Sequence, residues 1–272
     1  MANFGLISYL SAAIAFGGLL LLSLWGLTKY RTSAAFFIAV FCSFLWAGYS
    51  SFALYSEEVY SSSILPFETL RNLAWYYFLL TMIFTYSGEE EDENTAKPKS
   101  LWLSNYVIAL VMFGLTILTL ELFPSLLYKL SEYFSADLRL LFHVSLAIIG
   151  LILVEQLYRN TLAENRWTIK FVCIGLGALF IYDFIIYSKS MLFSDVDVML
   201  WNARGVVNAL IVPMLAISVI RLQEGGHHYT ISRKIIFHTT SLVATGFYLI
   251  LMALAGYYIK QFGGSWGEIA QI

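Results

Sequence analysis

Ionisable side chains in this sequence stand inside stretches that are otherwise apolar. Arg71 is followed by Asn72; Arg139 and His143 are four residues apart, the spacing that puts two side chains on one face of a helix; Arg204 and Asn208 repeat it, with Asn202 just before them. Asp183 lies beside Tyr182 and Tyr187, and Glu68 and Glu121 fall at a similar level as caps of their segments. An ionisable group in hydrocarbon is costly and is by default a site hypothesis. Two chemistries answer to this set. The groups line a polar cavity that senses a ligand, with Arg71, Asn72, Arg139, His143, Asp183, Arg204 and Asn208 as the contacting residues. Or they pair with one another, Asp183 with Arg204 or Arg71, and fix how helices pack. Three arginines against one deep carboxylate leave surplus positive charge, which hints at an anionic or hydroxyl-rich ligand, or a lipid head group.

The elements that position these residues are eight apolar runs: Gly5–Leu27, Ser33–Tyr55, Leu65–Tyr86, Leu101–Phe123, Leu138–Tyr158, Thr168–Leu192, Val198–Ile220 and Ile231–Tyr258. Each is close to the ~20 residues that span a bilayer as a helix. They are too long for barrel strands and lack period-2 alternation. The expected fold is therefore all-α, a polytopic membrane bundle of eight transmembrane helices. Composition agrees: 59% hydrophobic, 12% charged and a mean hydropathy of +0.73, where soluble domains carry roughly 25% charged residues. The formal net charge of −2 gives no argument for nucleic acid. Cys42 and Cys173 lie inside apolar runs and read as small buried side chains, not as a disulfide or metal pair. The first run lacks the basic start and cleavage site of a signal peptide, so it is expected to be retained.

Orientation follows the basic residues in the connections. Lys29, Arg31, Lys97, Lys99, Arg159, Arg166, Lys170, Arg221, Arg233 and Lys234 fall after odd-numbered runs, against Lys129, Lys189 and Lys260 after even-numbered ones. This bias predicts odd-numbered connections in the cytoplasm and both chain ends outside. The acidic run Glu89–Glu93 reads as a solvated loop. Glu155 and Arg159, four apart, read as an interfacial helix pair. Pro213 breaks a backbone hydrogen bond inside the seventh run and is a candidate hinge.

No enzyme signature emerges. His227 and His228 have no acidic or cysteine partner nearby, and no metal ligand set is expected. His238 lacks the acidic neighbour and proline of a phospho-accepting histidine. Gly175 and Gly177 sit within a membrane helix and suit close helix packing. A transporter or channel is the alternative class, but no convincing internal repeat is visible.

The second half carries a resemblance. The stretches Arg166-Trp167-Thr168-Ile169-Lys170-Phe171, Ile181-Tyr182-Asp183-Phe184, Ser188-Lys189-Ser190, Leu200-Trp201-Asn202-Ala203-Arg204-Gly205, Ile231-Ser232-Arg233-Lys234-Ile235, Phe237-His238-Thr239-Thr240, Ala255-Gly256-Tyr257-Tyr258 and Gly263-Gly264-Ser265-Trp266-Gly267 resemble the N-terminal membrane domain of PrsK-type sensor histidine kinases of the PEP-CTERM/exosortase system. The match covers about residues 150–272, and the first half fits by pattern. The resemblance implies an input domain in the bacterial inner membrane, with the N-terminus periplasmic. It implies control of exopolysaccharide and protein-sorting genes. It also implies a ninth helix and a cytoplasmic kinase beyond residue 272, with ATP and Mg serving only that absent part. The partners it implies are the lipid bilayer, a second copy joined through the full-length kinase, and a cognate response regulator. No catalytic residue is expected in these 272 residues.

Overall fold

The computed structural model describes residues 2–29, 34–56, 62–87, 99–134, 137–162 and 165–224. All regular structure in them is helical: α1 (Ala2–Lys29), α2 (Ala34–Tyr55), a 3₁₀ turn (Ser62–Ile64), α3 (Leu65–Ser87), α4 (Lys99–Leu122), α5 (Pro124–Phe134), α6 (Leu138–Asn160), α7 (Arg166–Phe193) and α8 (Val198–Glu224). Seven of these match the first seven predicted runs to within a few residues. The eighth run, with His227, His228 and His238, and the Glu89–Glu93 loop lie outside the described residues.

Six helices close a ring. Neighbours in contact are α1 with α2, α2 with α3, α3 with α6, α6 with α7, α7 with α8, and α8 with α1; α4 packs outside the ring on α3. The order has a two-fold character. The triplet α1–α2–α3 and the triplet α6–α7–α8 have the same internal neighbours, and each joins the other through its first and last helix. Arg71 and Arg204 occupy matching places, each the seventh residue of the last helix in its triplet. No internal repeat was expected from the residues; it shows in the order of helix neighbours.

Small residues allow the close approaches. At Gly205 a Cβ would lie 2.4 Å from the Ser8 backbone carbon, so α1 and α8 touch backbone to backbone. Here Val206 N–H donates to Ser8 Oγ at 2.8 Å and Tyr9 Oη donates to the Trp201 carbonyl at 2.9 Å. Gly175 lets Ile211 and Leu215 of α8 reach α7. Small residues that bring helices together, with hydroxyls bonding across, are how helices associate in lipid, where burying apolar surface gains little.

Large apolar side chains face outward while charged ones are buried beside an apolar core. Ile14, Leu21, Leu22 and Phe52 are exposed on the outside, while Glu68, Arg71, His143, Asp183 and Arg204 are buried. Among the described residues, five helices are long and apolar enough to cross a membrane, α1, α2, α6, α7 and α8, or six if the bent pair of α4 and α5 counts as one span. The chain is thus an all-α, membrane-type bundle. α3 does not reach that apolarity: Pro66, Glu68, Arg71 and Asn72 crowd its first two turns, and its ring neighbours shield them.

The predicted connection after the fourth run is a helix. α5 leaves α4 at 106°, starting at Pro124, whose ring suits a first helical position. It buries Leu127 and exposes Tyr128, Tyr133 and Phe134. Capping fixes the following turns. Asp137 Oδ1 accepts from the Arg139 N–H at the start of α6. Asp197 Oδ1 accepts from the Met199 and Leu200 N–H groups at the start of α8. α7 ends on Ser194 in the left-handed region (φ 53°).

Candidate functional site

The functional side chains meet at one end of the ring. α1, α3, α6 and α8 begin there, and α2, α4 and α7 end there, so consecutive helices alternate in direction. From α3, Glu68 and Arg71 are one turn apart and face inward together. From α7 comes Asp183, from α8 Arg204, from α6 His143 and from α4 Glu121, all almost wholly buried.

Asp183 is the hub. Arg71 Nη2 donates to its Oδ2 at 2.5 Å, while Arg204 donates to its Oδ1 through Nε at 2.8 Å and Nη2 at 2.6 Å. Arg204 also grips Glu68 with two nitrogens, Nη1 to Oε2 at 2.7 Å and Nη2 to Oε1. Tyr187 Oη donates to the same Glu68 Oε2 at 2.7 Å. Bidentate guanidinium–carboxylate pairing of this kind fixes geometry as well as adding energy. Aromatic faces close the box: Trp46 of α2 lies 4.2 Å from the Arg71 guanidinium and 5.0 Å from that of Arg204, and Trp201 and Tyr187 flank Arg204.

His143 extends the network. Its Nε2 is 3.0 Å from Glu121 Oε1, its Nδ1 is 3.5 Å from Glu68 Oε1, and its ring stacks on Tyr187 at 4.7 Å. Thr69 Oγ1 donates to Glu121 Oε1 at 3.0 Å. Five helices thereby contribute hydrogen-bonding or charged groups, and Trp46 brings in a sixth.

Several expectations are corrected by this geometry. Glu68 and Glu121, expected only at a similar level, are members of the network itself. Two buried guanidiniums face three buried carboxylates, so the expected positive surplus does not exist, and a proton on His143 brings the sum to zero. The case for an anionic ligand at this centre falls with it. Arg139 is not a member: its backbone and guanidinium bind Asp137 at the helix start, and the pair is more than a third exposed. Four residues from Arg139 along the same helix, His143 is drawn inward by Glu68 and Glu121. Asn208 turns back on its own helix, donating to the Arg204 carbonyl at 2.9 Å. Asn72 accepts from Arg71 through Oδ1 at 3.2 Å and so steadies that guanidinium. Asn202 packs near Gly5, where a Cβ would lie 2.5 Å from its Oδ1. Pro213 sits inside α8, which runs through it from Val198 to Glu224. Sequence reasoning did not foresee the roles of Trp46, Tyr187 and Thr69; their only signal was a polar or aromatic group at the depth of the charges.

Outside the membrane-spanning segments, partial burial would push the Asp137 carboxyl up, but its Arg139 contacts outweigh that and hold it below the usual carboxylate range. The Lys189 hydrogen bond at 2.5 Å, with the amides of Leu200 and Met199, holds the Asp197 carboxyl below its ordinary value.

The arrangement is suited to holding helices in register. Among the described residues, no three His, Cys, Asp or Glu side chains are placed as metal ligands. Cys42 and Cys173 are free thiols. Compared with known proteins, the chain matches no family model, no curated protein and no solved structure.

Proposed function

We propose that this chain is the membrane-embedded input domain of a bacterial sensor histidine kinase of the PrsK type. In this reading eight helices span the inner membrane, with the N-terminus periplasmic and the kinase module beyond residue 272. The observation that carries it is the network at one end of the ring. Every helix of the ring except α1 contributes to it or packs a ring on it, so a disturbance there is felt by α8, which leads toward the remainder of the chain. A ligand or a change in the surrounding lipid acts by favouring one arrangement of this network over another. ATP, Mg, a second copy and a response regulator belong to the kinase part. The sequence resemblance over residues 150–272 supports the same reading.

The test is expression of the complete reading frame in membrane vesicles with labelled ATP. Autophosphorylation is expected, with an altered level in Asp183→Asn. A reading frame without kinase activity ends the proposal. The second reading, a small-molecule transporter, is favoured by one observation: the parallel pairing of the two helix triplets, an arrangement known in transporters. Against it, the ring centre is filled by ion pairs and bulky aromatics. Substrate flux in proteoliposomes would favour it.

A further inference from the structure

A groove of about 500 Å³ opens between α6 and α7, at the end of the ring opposite the network. Val154 and Tyr158 of α6 and Cys173 and Ile174 of α7 give it apolar walls. Arg166 and Lys170 also line it, and they stand four apart at the start of α7, so the helix presents both cations on one face. Ile174 continues that face one turn further into the apolar length of the helix. Trp167 lies beside the cations and is 63% exposed, as an aromatic at a membrane boundary would be.

The charges do not cancel within the groove. Glu155 is the one carboxylate among its lining residues, and Arg159 Nη1 donates to Glu155 Oε1 at 3.2 Å. Among the described residues, no carboxylate forms an ion pair with Arg166 or Lys170. Neutral groups hold Arg166 in place: its Nε donates to the Thr161 carbonyl at 3.2 Å, and its guanidinium lies 5.0 Å from the Tyr158 ring. The Lys170 ammonium lies 6.0 Å from the Trp167 ring. These contacts orient the two cations and leave their charge uncompensated.

A small free anion would answer the cations and leave the apolar walls uncovered. A hydrocarbon tail alone would do the reverse. A molecule with an anionic head and an apolar tail satisfies both, and a basic pocket between membrane helices is a usual setting for such a head group. The cations sit where α6 ends and α7 begins, so the head lies at the membrane boundary and the tail runs inward.

We infer that this groove binds an anionic glycerophospholipid, its phosphate between Arg166 and Lys170 and one acyl chain against Val154, Tyr158 and Ile174. The inference stands apart from the kinase reading and needs only that the bundle sits in a membrane.

The probe is phosphatidylglycerol bearing a photoreactive diazirine on an acyl chain, added in trace to the purified chain in phosphatidylcholine nanodiscs. Saturable labelling is expected on the α6 and α7 peptides that flank the groove. Unlabelled phosphatidylglycerol should displace it, and inorganic phosphate should not. Arg166→Gln combined with Lys170→Gln is expected to weaken labelling roughly tenfold or more. Lys129→Gln removes an exposed cation at the other end of the bundle and is expected to leave labelling unchanged. Ile174→Trp fills the apolar part of the groove with both cations kept, and is also expected to lower labelling; it keeps the test decisive if the double variant does not fold. Labelling spread evenly over all lipid-facing helices overturns the proposal. So does displacement by inorganic phosphate, which would mark a free-anion site. Absence of saturable labelling, as when an acidic peptide fills the groove instead, overturns it too.

Discussion

Arg71 and Arg204 hold opposite oxygens of one carboxylate. Arg71 takes Oδ2 of Asp183 at 2.5 Å, and Arg204 takes Oδ1 at 2.6 Å. They come from matching positions of the two helix triplets, so one side chain on α7 ties the halves of the ring together. Removing it takes from Arg71 its close carboxylate, leaving Glu68 at 3.9 Å, and takes from Arg204 one of its two.

Asp183→Ala is therefore expected to cost about 3–5 kcal/mol, the usual consequence of leaving buried charge unpaired. Chemical unfolding of the purified chain in detergent measures it. Replacing Arg71 by Met in the same protein is expected to recover part of the loss. A single variant as stable as the parent shows that the network does not hold the helices.

Arg139 supplies the contrast. Its partner Asp137 is at the surface, and exposed ion pairs contribute about 0–1 kcal/mol. Arg139→Ala should change stability by less than about 1 kcal/mol, where Arg71→Ala behaves like the Asp183 variant. Comparable losses from both would mean that depth in the bundle does not decide the effect.

Packing between first and last ring helices is testable at glycine. Gly205→Ala must displace the Ser8 backbone and is expected to cost about 1–3 kcal/mol as overpacking. Nothing lies within 4 Å of a Cβ at Gly18, so Gly18→Ala is expected to be neutral or stabilising by up to about 1 kcal/mol. Thermal unfolding of the two variants in one detergent compares them directly; equal midpoints would remove the α1–α8 contact from the account.

Acid acts on the start of α8. Lys189 and two amides hold the Asp197 carboxyl below its ordinary value, so the group binds protons less readily folded than unfolded. Its contribution is complete above the ordinary Asp value of about 4 and fades as pH falls through the lower folded value. Amide exchange at Met199 and Leu200, corrected for intrinsic rates, should show constant protection near neutrality and loss below about pH 4. Asp197→Asn, which keeps the cap acceptor but loses the charge, should remove that pH dependence. A parent protein with unchanged protection at pH 3 would contradict the assignment.

The orientation proposed above rests on the bias of basic residues and on the alternating helices. A cysteine placed in the Glu89–Lys99 connection should react with a membrane-impermeant maleimide only after the membrane is opened, and one at Ser194 in intact spheroplasts. The opposite pattern would invert the bundle.

Much of this was readable in the residues. Long apolar runs gave seven helices, and the interruptions at Arg71, His143, Asp183 and Arg204 gave four of the central groups. Depth was harder to read. Glu68 was placed at the level of the cluster but not among its contacting residues; in the first turn of α3, it is covered by Tyr187 of α7 and Arg204 of α8. Arg139 was misplaced for the converse reason: Asp137, two residues earlier, offers it a nearer partner. Pro124 followed by leucines three and six residues on was a signal for α5, hidden because the apolar run before it ended so close by.

The ring's closure has a consequence for biogenesis. Ribosomes deliver helices in order, and α1 meets α8 only after some two hundred residues have followed it, as the Tyr9–Trp201 bond across 192 positions records. If α3 enters lipid as the proposed reading has it, it does so with Glu68 and Arg71 before Asp183 and Arg204 are made. During that interval each is the only oppositely charged partner the other has on its own helix, 3.9 Å away in the finished fold. Those two charges of opposite sign travel together, so an insertion intermediate carries a dipole in place of a bare ion. Separating them by mutation should therefore hinder membrane integration of α3 before it disturbs the mature bundle.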